Sequence, residues 1–227
     1  MHHYYTSSGS TFQSARVAGR AFDGASMQLP RRKVVFIGDL GAGKATLIGT
    51  LANTDNLSHP LLPVEHDLCT FSIEVDGRSV IIELWNTIAD DEPDRARSRL
   101  LGYHSSAVVV LCLAIDAPQS LQTTREKWYP EILHFTSGIP LLLVGCKSDI
   151  RERSGVPGRP GQGKSIGLIT PNQGSDLALE VGALAYLECS VIRSESIAVI
   201  RETLGRVALS WDPAASNELE KRQCTVV

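Results

Sequence analysis

KVVFIGDLGAGKATLIGTLAN, residues 33 to 53, decides the fold. Its opening, Lys33 to Gly38, is a continuous apolar run of the kind expected for a strand buried on both faces. Its close, from Lys44 onward, has helical character. Between them Gly38-x-x-x-x-Gly43-Lys44 has the spacing of a phosphate-binding loop, whose glycines let backbone N–H groups close around phosphate oxygens at a helix N-terminus. Three fixed positions alone would also fit an incidental glycine turn, but a strand before and a helix after are the context the motif needs. The expected phosphate contacts are Asp39, Leu40, Gly41, Ala42, Gly43, Lys44, Ala45 and Thr46, with Lys44 reaching the outer phosphates. The residue after the lysine, which ordinarily offers a hydroxyl to magnesium, is Ala45. Thr46 could offer a hydroxyl, but one residue along a helix turns it about 100° away.

Outward from this core, strands alternate with helices. Residues 69–85 hold two strand-like runs around Asp76-Gly77, a strong hairpin signal. Residues 106–115 and 139–146 are further buried strands. Between them Leu121, Trp128, Ile132 and Leu133 have helical spacing, and Pro130 implies a kink or break. A helix is expected near 172–182, then the short strand LAYLEC (184–189). A last helix over 195–210 should bury Ile197, Ile200, Leu204 and Val207. The pattern predicts an α/β fold: a mostly parallel six-stranded sheet, helices on both faces, and one antiparallel edge hairpin.

Residues 1–31 lack periodicity and are expected to form a flexible arm, and 212–227 a flexible tail. The domain is placed at 32–211, with a Gly/Pro-rich surface loop at 154–166. The 43% apolar and 21% charged content suits a globular chain, and the net charge of −3 argues against a nucleic-acid surface. No run reaches the eighteen or so apolar residues that a membrane span needs, and residues 1–29 have no apolar signal core. Cys69, Cys112, Cys146, Cys189 and Cys224 form no CxxC pair, and three lie in strand-like runs, as buried thiols in a reducing compartment would. A cytoplasmic monomer is expected.

A second motif, VGCKSD (144–149), ends another buried strand, so its loop should share a crevice with the glycine loop. Asp149 there could accept hydrogen bonds from the N1–H and exocyclic amine of guanine, an edge that adenine lacks. The stem of Lys147 could lie along base and ribose. Outside this setting, a solvated turn would be the better explanation of the tripeptide.

From about 32 to 210, and at its last four residues, the chain resembles the Rho branch of the Ras-like small GTPases. The resemblance lies in EVDGRSVIIELWNT, in IDAPQSL and EKWYPEILHF with Trp128, in PLLLVGCKSDIR, and in LITPNQGSDLALEVGALAYLECS. It implies a P-loop NTPase G domain that binds GTP and GDP and meets the effectors and regulators of Rho-type signalling. It also implies guanine contacts at Cys146, Lys147, Asp149, Ser190 and Val191. The family's Ser-Ala-Lys loop reads Ser190-Val191-Ile192 here, and Leu57 falls where an aromatic covers the base. The Gly/Pro loop falls at the family's insert helix, although its composition argues against a helix.

Departures from the family concentrate on magnesium and catalysis. Ala45, Val64 and Asn86 occupy the usual magnesium positions, so the ion is expected to be weak or absent. Asp90 replaces the glutamine that orients water, and Leu40 and Ala89 replace glycines near the γ-phosphate. No catalytic position is intact. Arg95, Arg97 and Arg99 could suggest an arginine finger in cis; a solvated face of the second helix is the simpler expectation. CTVV at the C-terminus fits a prenylation box at Cys224, or else a free thiol on a frayed tail. With only Lys221 and Arg222 before it, one lipid would give reversible attachment to the cytoplasmic face of a membrane. The resemblance leaves three outcomes: a hydrolysing switch, a nucleotide-binding protein with little or no hydrolysis, or a nucleotide-free scaffold.

Overall fold

The structure, a computed structural model, describes residues 29–52, 69–89, 93–136, 138–154 and 167–211. The expectations for the arm, for Leu57, Val64, Asp90 and Cys224, and for residues 155–166 and 212–227 lie outside the described residues, as does the Arg95 side chain.

Six strands form one sheet: β1 (Arg31–Gly38), β2 (Cys69–Val75), β3 (Arg78–Asn86), β4 (Val108–Ala114), β5 (Leu141–Cys146) and β6 (Ala185–Cys189). Their order is β2-β3-β1-β4-β5-β6, with β2 and β3 antiparallel and every other neighbouring pair parallel. The hairpin forms at Asp76-Gly77, both at positive φ (52° and 72°), the backbone of a primed two-residue turn that matches strand twist. In β1, alternate residues serve opposite layers: Val34 and Phe36 pack on one side of the sheet, Val35 and Ile37 on the other.

The first layer is made by α1 (Lys44–Ala52) and α7 (Ser194–Ser210), through Leu47, Ile48, Leu51, Ile197, Ile200 and Leu204. Val207, expected on the buried face, is only partly buried, and Ala208 is fully enclosed. The opposite layer takes Tyr103 from α2 (Pro93–Tyr103), Trp128 and Ile132, and Leu177 from α6 (Pro171–Glu180). α6 starts where its sequence stipulates: the Thr170 hydroxyl accepts from Gln173 N while the Gln173 side chain accepts from Thr170 N, with Pro171 in the first turn.

Pro130 does not break its helix; it widens the turn before it. α3 (Gln119–Thr123) runs through a π-helical turn (Thr124–Trp128) into α4 (Tyr129–Phe135). The Tyr129 N–H donates to Thr124 O, five residues back, which makes room where a proline ring would otherwise crowd a carbonyl. Trp128 and Ile132 are buried as expected, but Leu133 is exposed: the widened turn settles which residues face the sheet, and Leu133 lies one position past the buried stripe.

A short helix absent from the sequence reading, α5 (Asp149–Ser154), follows β5. DIRERS offers no apolar period; Arg151 holds it, with two donors to Ile169 O and a bidentate pair to Glu188. At the far end of the domain, Arg32 Nε donates to Ala208 O at 3.1 Å, and its guanidinium lies 5.6 Å from the centre of the Trp211 ring. Among the described residues no helix is long and apolar enough to cross a membrane.

Candidate functional site

The parallel register brings four strand ends to one edge: Gly38 pairs with Cys112, Ala114 with Cys146, and Cys146 with Cys189. The loops leaving β1, β4, β5 and β6 therefore emerge side by side, as expected for a ligand crevice in an open α/β sheet. Asp39 to Gly43 turn tightly between β1 and α1, with Ala42 N donating to Asp39 O at 3.2 Å. Two glycines are obligatory. Gly38 has φ +133°, and a Cβ there would sit 2.1 Å from the Cys112 carbonyl oxygen; Gly43 has φ +99°, and its Cβ would sit 3.1 Å from that of Cys146. Cys146 thus forms the floor beneath the loop.

Lys44, first in α1, curls back into the loop. Its ammonium is buried and donates to Gly38 O at 2.7 Å and Asp39 O at 2.8 Å. Desolvation pulls its pKa below the usual 10.5, only partly opposed by the surrounding thiols and Asp39. A desolvated cation beside a helix N-terminus and under a glycine loop fits an anion of phosphate type. Leu40, at the outer tip, is 89% exposed, while Ala42 is buried and Gly43 and Ala45 are half-buried.

Across the crevice, Asp149 Oδ1 accepts from Ser190 Oγ at 2.7 Å, and Oδ2 lies 3.0 Å from Arg153 Nη2. Lys147 has φ +66° and pairs with Asp116 at 3.1 Å. Asp116 was not among the expected site residues, although its place just beyond the carboxyl end of β4 could have flagged it. Val191 packs partly buried beside the first core layer. The structure therefore brings the glycine loop, Cys146, Lys147, Asp149 and Ser190 to one edge of the sheet.

Ala45 contributes a methyl group, and Asn86, the last residue of β3, is an exposed neutral amide. Among the described residues no three His, Cys, Asp or Glu side chains cluster as metal ligands. Ala45 thus offers no oxygen, and the Asn86 amide is a weaker donor for a hard divalent cation than a carboxylate. After Asn86 the chain is tied down: Thr87 Oγ1 donates to Phe36 O at 2.7 Å, and Ala89 packs beside the second core layer.

One expectation is overturned. Arg99 does not lie on a solvated face. Its side chain is 4% exposed, and its fork grips Glu131 through Nε (2.8 Å) and Nη2 (2.9 Å), while Nη1 donates to Ile88 O at 3.1 Å. The acid that pulls it inward lies on another helix, beyond the reach of local pattern. Arg97 does remain exposed.

The Ras family model matches residues 33–209, nearly the whole described domain. The chain belongs to the Ras family. Its relatives place it in the Rho branch: it is 35% identical over 201 residues to the GTP-binding protein rho5 of Schizosaccharomyces pombe, covering 85% of this chain and 95% of that one. The rho1 protein of the same yeast is 35% identical over 208 residues (87% and 98%), and RHO1 of Saccharomyces cerevisiae 34% over 192 residues (84% and 90%). The six-stranded sheet of this Rho-branch chain, with one antiparallel edge pair, agrees with the α/β P-loop fold that the sequence implied.

Proposed function

We propose that this Rho-branch chain binds guanine nucleotide and hydrolyses it little or not at all, acting in signalling through the proteins it engages while it holds the nucleotide. One observation carries the reading: Lys44, a buried ammonium whose hydrogen bonds go to the carbonyls of Gly38 and Asp39 at the mouth of a glycine loop. Lys44 and the loop N–H groups would take the phosphates, and Asp149, oriented by Ser190, would take the guanine edge. A bound nucleotide would bring anionic phosphate oxygens to this cation. Hydrolysis would need a water held in line and charge neutralised on the phosphate. Ala45, Asn86 and Ala89 provide neither, and Leu40 stands exposed at the loop's outer tip. The proposed cofactors are GTP and GDP, with magnesium weak or absent.

The test is to purify the full chain, denature it, and identify the released nucleotide, with and without EDTA. Guanine nucleotide that survives chelation supports the reading; magnesium-dependent turnover lost in Lys44→Ala overturns it. Lys44→Ala should weaken GDP binding at least about 30-fold, the loss of one or two charge-assisted hydrogen bonds. A nucleotide-free scaffold is the second reading. Arg153, on Asp149 Oδ2, favours it by competing with the base for one carboxylate oxygen. An empty protein that refuses added GDP would decide for it.

For the C-terminus the proposal is prenylation at Cys224, giving reversible attachment of a monomer to the cytoplasmic face of a membrane. Cys224→Ser should move the protein from the membrane to the soluble fraction; unchanged partition overturns the anchor.

A further inference from the structure

A buried chain of side chains leaves the phosphate loop and ends on α2. Trp128 Nε1 donates to Asp39 Oδ1 at 2.8 Å. The indole ring, 1% exposed, carries the Arg99 guanidinium 5.2 Å from its centre. Arg99 in turn binds both oxygens of Glu131 and the carbonyl of Ile88, and Tyr103 Oη donates to Glu131 Oε1 at 2.6 Å. Four segments meet here: the loop after β1, the stretch after β3, α2, and the helix through Trp128 and Glu131. The widened turn before Pro130 sets Trp128, and Glu131 three residues later lies on the same helix face. Each link is directional, whether hydrogen bond, bidentate pair or cation over a ring, so movement at one end has little slack to disappear into.

We propose that Trp128 and Arg99 are positioning residues that couple the phosphate loop to Ile88 and α2, so that an anion arriving at Lys44 is felt on α2 without touching it. The nucleotide half of this statement rests on the function proposed above; the mechanical half does not. The electrostatics are simple. The Asp39 carboxylate lies between the influence of the Lys44 ammonium and the indole N–H. Phosphate oxygens claiming Lys44 would repel Asp39 and leave it more firmly on the indole. A firmer Asp39–Trp128 bond restrains the ring that Arg99 covers, and Arg99 holds Ile88 O and Glu131.

Amide hydrogen exchange on the full chain tests both halves. Without nucleotide, Asp39→Ala should speed exchange several-fold at Ile88, Ala89 and residues 96–103. Asp39→Asn, which keeps an acceptor for the indole N–H, should restore slow exchange. Trp128→Phe should match Asp39→Ala, and the double variant should be no faster than either alone. Equal rates in wild type and Asp39→Ala, additive effects, or failure of Asp39→Asn to rescue would each overturn the coupling. With GDP at saturation by calorimetry, wild type should slow further at 96–103 and Trp128→Phe should not; an identical response in both overturns the relay. If calorimetry detects no GDP binding, the nucleotide reading fails, and the measurements without nucleotide still decide the coupling.

Discussion

Lys44 carries its charge where water has little access, and that single fact sets a pH signature. Its pKa in the folded protein lies below the usual 10.5 because burial disfavours the ammonium. A bound phosphate would favour the ammonium and raise that pKa, so binding takes up a proton on the alkaline side. GDP affinity should therefore fall as pH rises through the pKa of the free protein, at a lower pH than an ordinary lysine would give; calorimetry in buffers of differing ionisation heat measures the uptake. The sign for stability is opposite. The unfolded chain holds the lysine proton longer, so Lys44 costs stability below its folded pKa, and the cost disappears as pH approaches 10.5. At the same scale, Gly43→Ala should weaken nucleotide binding strongly and cost about 1–3 kcal/mol in denaturant unfolding, because φ +99° strains any side chain. The glycine loop and Asp149 were legible because their chemistry is local. Asp39's bond to Trp128, across 89 residues of chain, was not.

Among elements, the ones set by burial were readable and the ones set by polar partners were not. The strands announced themselves as apolar runs, and Asp76-Gly77 announced the hairpin. α5 lacks such a signal, since the partners of Arg151 lie in a later loop and a later strand. α2 was recognised as a helix, but the direction of Arg99 depends on Glu131. Removing that arginine strands a carboxylate that is only 15% exposed, so Arg99→Ala should cost about 3 kcal/mol, the lower end for breaking a buried pair. Urea unfolding checks this, and Glu131→Gln should cost at least as much, because it leaves the more deeply buried Arg99 guanidinium without its counter-charge.

Across the whole molecule, three thiols (Cys112, Cys146 and Cys189) lie at one edge of the sheet under the loops. Their mutual contacts and burial push Cys146 and Cys189 well above 9.0, and burial with a bond to Glu131 raises Tyr103. A group raised by folding stabilises fully below its unfolded pKa and loses that contribution above it. The protein should accordingly lose stability as pH rises, from about 9 for the two thiols and from about 10 for Tyr103, by about 1.4 kcal/mol per pH unit for each group, against the opposite effect of Lys44. Cys189→Ala should flatten the alkaline limb of a stability–pH curve measured under reducing conditions.

Arg32 joined to Ala208, with its guanidinium over Trp211, has a consequence for the ends of the domain. The opening of β1 and the close of α7 are therefore neighbouring points on the domain. A short linker between residues 30 and 211, with new ends in the Asp76-Gly77 turn, should give a permuted protein that still folds, as circular dichroism and melting would report. The Arg32 contact also lets the opening of β1 report on the close of α7: Arg32→Ala should loosen the last turn of α7, read as faster amide exchange at residues 207–210.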